Sequence, residues 1–170
     1  MKEVLIVIDM QKDFLTGALG NADTAAVTEK VAEKIKNARA AGVEIVFTRD
    51  THKENYLTTQ EGKRLPVVHC IKDTDGWQIE GGLYVAGEKV FDKPTFGSIE
   101  LAEYIRDGKY ERAELVGVCT DICVVSNALL LKAYCPEMTV TVDGACCAGV
   151  TRESHEAALK TMAACQVEVW

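Results

Sequence analysis

The chain has 170 residues, enough for one hydrophobic core and too few for two ordinary domains. Hydrophobic residues make up 48% and charged residues 26%, the balance of a folded globular protein rather than a disordered or fibrous one. A net charge of −7 repels phosphate backbones and anionic bilayers on average, so neither nucleic acid nor a membrane is expected as a partner.

The opening apolar run, residues 4–8, is far shorter than a signal-peptide core, and Asp9 ends it. No stretch approaches the ~20 apolar residues of a membrane helix. Seven cysteines without a secretion signal predict free thiols and a cytoplasmic location. Most of them lie among apolar neighbours, where cysteine behaves as a small buried hydrophobe.

In chain order, residues 4–8 read as a strand buried on both faces. Residues 23–41 place Ala26, Val27, Val31, Ile35 and Ala38 at helical intervals, with Asp23 or Thr24 as the cap and Gly42 as the stop. A second strand follows at 43–48, and residues 50–87 are polar, turn-rich and without clear period. So long an irregular stretch in a small domain points to function. A third strand at 89–91, a helix at 98–107 and a fourth strand at 114–118 come next. The fourth strand runs directly into a helix at about 121–134, followed by a strand at 138–142. A helix at 151–164, capped by Thr151 with Ser154 or Glu153, and a short strand at 166–169 close the chain.

This alternation implies right-handed βαβ units in a single α/β domain over residues 1–170. The expected architecture is a three-layer α/β/α, Rossmann-like, mostly parallel six-stranded sheet with helices on both faces. In such sheets, sites form beyond the carboxyl ends of the strands. Asp9 follows the first strand, Arg49 and Asp50 the second, Asp92 and Lys93 the third, and Cys119 to Cys123 the fourth.

Cys123 falls in the predicted first turn of the helix at 121–134, where unpaired backbone N–H groups and the helix dipole favour a thiolate. The same N–H groups suit an oxyanion. A nucleophilic thiol needs a base or a cation. None of His52, His69 and His155 ends a strand facing it, whereas Asp9 can accept the thiol proton and Lys93 can hold the thiolate. Cys119 and Cys123 have no second cysteine pair to complete a structural zinc site. Asp50 and His52, followed by Glu61 and then His69, put a carboxylate and two imidazoles on one irregular segment, a candidate site for Zn²⁺, Fe²⁺ or Mn²⁺. Phe14, Leu19 and Phe96 are candidate walls of a substrate pocket, with Trp77 and Tyr84 as weaker ones.

Three motifs carry a resemblance. Ile8-Asp9-Met10-Gln11-Lys12-Asp13-Phe14 resembles the D-x-Q-x-D-F opening of the isochorismatase-like cysteine hydrolases, nicotinamidases among them. Lys93-Pro94-Thr95-Phe96-Gly97-Ser98 is similar to their lysine segment, and Gly117-Val118-Cys119-Thr120-Asp121-Ile122-Cys123-Val124 to their nucleophile turn. The motifs occur in family order across nearly the whole chain. The resemblance implies Asp9 as base, Lys93 as thiolate stabiliser and Cys123 as nucleophile. It also implies a cis peptide at Val118–Cys119 and an oxyanion hole from the Cys119 and Cys123 amides.

The nicotinamidase metal segment is matched directly by Asp50, His52 and His69. Glu61 is the expected intervening ligand and Glu54 its alternative. One departure is Leu65-Pro66-Val67-Val68-His69, where many nicotinamidases carry Trp-Pro. The activity implied is deamidation of a small carboxamide, foremost nicotinamide to nicotinate in NAD salvage, with a divalent metal, zinc first, and a homo-oligomeric assembly. Two other readings stand beside it. One is a related cysteine hydrolase of another amide, N-carbamoyl compound or ureide; the other is a non-catalytic metal or redox-sensing protein that uses the seven thiols.

Overall fold

Val4, Ile6 and Ile8 are buried on one side of the first strand and Leu5 and Val7 on the other, in a computed structural model that describes residues 1–170. Burial on both faces is what a parallel sheet under two helical layers demands. The strands are β1 (Glu3–Ile8), β2 (Glu44–Asp50), β3 (Lys89–Lys93), β4 (Arg112–Val118), β5 (Thr139–Ala148) and β6 (Glu168–Val169). They lie in the order β3-β2-β1-β4-β5-β6, and every pairing is parallel. The winding reverses between β1 and β4, and a crevice opens there beyond the strand ends.

The helices are α1 (Lys12–Leu15), α2 (Ala22–Ala26), α3 (Thr28–Ala40), α4 (Gln60–Arg64), α5 (Ile99–Asp107), α6 (Val125–Tyr134) and α7 (Arg152–Ala164). Phe14, Leu15, Val31 and Ile35 from α1 and α3 pack on the Leu5/Val7 face. Leu101 and Ile105 of α5, Ala128 and Leu131 of α6 and Met162 of α7 pack on the other. Each of these Leu, Val, Ile, Phe and Met side chains contributes roughly 1.5–3 kcal/mol when fully buried. No helix is long and apolar enough to cross a membrane.

Three expectations are corrected in detail. The helix at 23–41 is two helices, because Asn21 forms a capping box with Thr24 and starts α2 early, and the chain then bends at Val27 before α3. The helix at 121–134 begins instead as a wide π turn, Thr120–Val124, closed by the Val124 N–H donating to the Cys119 carbonyl at 3.1 Å; α6 follows it. Finally, β3 and β5 run on past their apolar cores, because polar residues such as Asp92 and Lys93 still pair with β2.

Gly117 has φ +117°, and a Cβ there would lie 2.1 Å from the Ile8 carbonyl oxygen. Only glycine lets β4 approach β1 this closely. The peptide after the next residue, Val118–Cys119, is cis.

Candidate active site

Asp9 leaves β1 in the left-handed region, at φ 46°, a conformation that costs a non-glycine residue ~1–2 kcal/mol. Two bonds hold it: the Asp9 N–H donates to Thr48 Oγ1 at 3.2 Å, and that hydroxyl donates to Asp9 Oδ1 at 2.6 Å. Lys93, at the end of β3, is buried to 1% exposure. Its Nζ lies 2.7 Å from Asp9 Oδ2, 3.4 Å from Cys123 Sγ and 3.5 Å from Asp50 Oδ1. The Asp9 contact is an ion pair at Oδ2, a buried oxygen with no aligned hydrogen-bond donor.

Electrostatics modify the expected thiolate. Burial pushes the Cys123 thiol well above its ordinary pKa; Lys93 opposes this, while Asp9 and Asp50 add to it. Cys123 therefore rests as a thiol, because loss of water outweighs the Lys93 charge. Burial also raises the Asp9 carboxyl, against the pull of Lys93, which gives it the basicity to take a thiol proton. Burial alone would strip Lys93 of its charge, but Asp9, Cys123 and Asp50 outweigh it, so the ammonium persists.

Asp50 ends β2, and the irregular segment folds back beside it. The His52 N–H donates to the Cys70 carbonyl and the Lys72 N–H to the His52 carbonyl, both at 2.9 Å. These bonds place His69 next to His52, with ring centroids 4.9 Å apart. Glu61 arrives from the first turn of α4, whose N-cap Thr59 accepts from the Gly62 N–H. One donor atom each from Asp50, His52, Glu61 and His69 falls within 4.8 Å of all the others. The alternative ligand, Glu54, is exposed and outside the cluster.

The donor set fits a divalent cation. Val67's carbonyl can only accept, so His69 Nδ1, 2.7 Å away, carries the proton. In the neutral ring Nε2 is then a lone pair, and it faces Asp50 Oδ2 at 3.5 Å and Glu61 Oε1 at 3.8 Å. Asp50 Oδ1 is buried with no hydrogen-bond donor. Burial would lower the His69 pKa, yet Asp50 and the Val67 carbonyl outweigh it and raise it. The cluster thus calls for positive charge. Two nitrogens and two carboxylate oxygens are the donors of a zinc-type site.

Both groups open into one cavity of about 550 Å³. The expected walls Phe14, Leu19 and Phe96 line it, as do Cys119 and Cys123. Trp77 and Tyr84 do not. Trp77 instead lies under the Arg49 guanidinium, 3.6 Å from its ring centre, and Tyr84 packs edge-on against Phe47.

Several positioning residues lay outside the sequence reading. Buried Gln11 accepts from the Asp50 N–H at 2.7 Å and donates to the carbonyls of Asp50 and Trp77, each at 2.9 Å. Asp13 accepts from the Cys70 N–H at 2.8 Å, just past His69. Asn127 donates to the Cys123 and Phe96 carbonyls and accepts from the Ser98 N–H, tying the nucleophile turn to the lysine segment. Gln11 and Asp13 are the Gln and the second Asp of the first motif, and that match is their signal in the sequence. Asn127 carried none. His155, which ends no strand, reaches in from α7 and lies 2.7 Å from Thr120 Oγ1 in the turn that carries Cys123.

The Isochorismatase domain family matches residues 3–170. A nicotinamidase/pyrazinamidase of Mycobacterium tuberculosis is 26% identical over 97% of this chain and 96% of its own length. An uncharacterized isochorismatase family protein of Bacillus subtilis is 29% identical over 96% of this chain and 95% of its own. The crystal structure of the Pyrococcus horikoshii pyrazinamidase in complex with zinc superposes with a TM-score of 0.86 at 29% identity, covering 100% of this chain and 99% of that one. With the family match spanning nearly the entire sequence, this chain belongs to the isochorismatase family of hydrolases.

Proposed function

We propose that this enzyme is a cysteine amidohydrolase that converts a small pyridine-type carboxamide, foremost nicotinamide, to its carboxylic acid and ammonia. The observation that carries the reading is Lys93, which touches Asp9, Cys123 and Asp50 and so joins a thiol–carboxylate pair to a four-donor cation site in one cavity. The names of the Mycobacterium tuberculosis and Pyrococcus horikoshii relatives agree with it.

In this mechanism Asp9 takes the Cys123 proton and Lys93 stabilises the thiolate as it attacks the amide carbon. The Cys119 and Cys123 backbone amides receive the oxyanion, a contribution worth about 10²–10³-fold per donor in related chemistry. Protonated Asp9 returns its proton to the departing nitrogen, and ammonia leaves a thioester on Cys123. Asp9 then deprotonates a water, which releases the acid and restores the thiol. Asp50, His52, Glu61 and His69 would hold zinc, which as a Lewis acid supplies a binding point for a ring nitrogen.

An ammonia-release assay on nicotinamide, pyrazinamide and N-carbamoyl compounds, with and without chelator, tests the reading. Turnover of the pyridine or pyrazine amide that chelation abolishes is expected. Cleavage of N-carbamoyl compounds alone, unaffected by chelator, would overturn it.

A further inference from the structure

We propose that Arg64 is a specificity-determining residue that selects substrates bearing a carboxylate on the side away from the scissile amide. This inference rests on the amidohydrolase reading and names the substrate class of the same cavity.

The charged side chains lining the cavity are Asp50, Glu61 and Arg64. Glu61 Oε1 is turned to the imidazoles, 3.6 Å from His52 and 3.8 Å from His69. Arg64 follows Glu61 by three residues and Gln60 by four, so α4 presents all three on neighbouring positions of one face. The candidate metal ligand and Arg64 therefore lie one turn apart on α4, Glu61 half-buried and Arg64 exposed to solvent where the cavity meets the surface.

Arg64 is set apart from the other arginines by its lack of a partner. Arg39, Arg49, Arg106 and Arg152 pair with Glu88, Asp92, Asp107 and Asp23 respectively. Arg112 lies over the Trp170 ring. Arg64, exposed at the cavity lining, has neither a carboxylate nor a ring, so its fork of donors is uncommitted. A carboxylate is the planar, two-oxygen group that such a fork binds through parallel hydrogen bonds. In a protein of net charge −7, an anionic substrate also needs a local cation to be admitted.

Space agrees with charge. A single-ring carboxamide fills only a fraction of a cavity of about 550 Å³. At the α4 end the lining continues through Thr59, Gln60 and Leu65, and the one acid there, Glu61, is turned to the imidazoles. A ring amide seated between Cys123 and the metal ligands would leave this end for a second substituent. The substrate class is thus the monoamide of an aromatic dicarboxylic acid.

The test compares the monoamide of pyridine-3,5-dicarboxylic acid with its methyl ester, a neutral analogue of like shape, beside nicotinamide. Zinc-loaded wild-type enzyme should favour the acid by about tenfold in kcat/KM, mainly through KM, and added salt should shrink the preference. Arg64→Met should bring the acid-to-ester ratio near one, and Arg64→Lys should restore part of it. An acid-to-ester ratio that is the same in wild type and Arg64→Met overturns the proposal, even if nicotinamide is cleaved. If no amide is turned over, the amidohydrolase reading fails instead. Calorimetric binding of the acid and the ester to Cys123→Ala and to Cys123→Ala/Arg64→Met then decides the role of Arg64: loss of acid selectivity in the double variant supports it, and no loss refutes it.

Discussion

The two sides of the cavity are built in different ways. On the thiol side, Asp9 and Lys93 project from the ends of β1 and β3, and Cys123 sits in the turn after β4, so the sheet itself sets their spacing. On the metal side only Asp50 comes from a strand end. His52, Glu61 and His69 belong to a segment without regular period, fastened by Gln11, Asp13 and a few backbone bonds. The first arrangement shares the stability of the core, while the second depends on a handful of polar contacts. The halves should therefore be separable by mutation, with Lys93 as their point of contact.

The sharpest break is Cys123→Ala. Amide hydrolysis should fall on the order of 10⁴-fold or more, while the content of divalent metal, measured by elemental analysis, stays at the wild-type level. Turnover above a few per cent would remove Cys123 from the mechanism. On the other side, Gln11→Ala should weaken metal affinity about 10–100-fold, as loss of an outer-sphere support does. Its Cys123 should still react with iodoacetamide at a rate within a few-fold of wild type; equal damage to both readouts would mean the halves are not independent.

Acidity gives a finer test. Asp9 must be ionised to take the thiol proton, and burial raises its pKa. The acid limb of kcat/KM should thus lie above the ordinary aspartate value of ~3.9 and fall about tenfold per pH unit below its midpoint. A limb at or below the ordinary value would contradict the base assignment. The smallest effect belongs to the scaffold, at the opposite end of β2 from Asp50. Burial would raise the Glu44 pKa, but hydrogen bonds from the Tyr104 and Tyr110 hydroxyls outweigh it and lower it. Its folded pKa is depressed, so its contribution is fully present above the unfolded value of ~4.3 and is lost as pH falls through the folded one. The Tm difference between wild type and Glu44→Gln should be a few degrees at neutral pH and vanish in acid. A pH-independent difference would point to packing instead.

The same contrast governs what could be read in the sequence. Buried strands announce themselves as unbroken apolar runs, and the strand-end rule then placed Asp9, Asp50, Lys93 and the Cys119–Cys123 turn on one edge. The metal donors could be named as types, but what assembles them is backbone pairing between His52 and Ile71, and between Gln11 and Ile79, which leaves no periodic trace. Nor does a hydropathy pattern distinguish an α-helical first turn from the π turn that carries Cys123. The resting protonation of that thiol depends on the carboxylates and the burial around it, which only the assembled fold brings together.

Gly117 has a consequence for anyone redesigning this site. Pocket walls such as Phe96 and Leu65 are partly exposed and can be exchanged to follow a new substrate. At Gly117 there is no such freedom, because any added side-chain carbon would collide with the Ile8 backbone immediately ahead of Asp9. A library that varies the walls explores chemistry; one that varies this position only prises Asp9 away from Cys123.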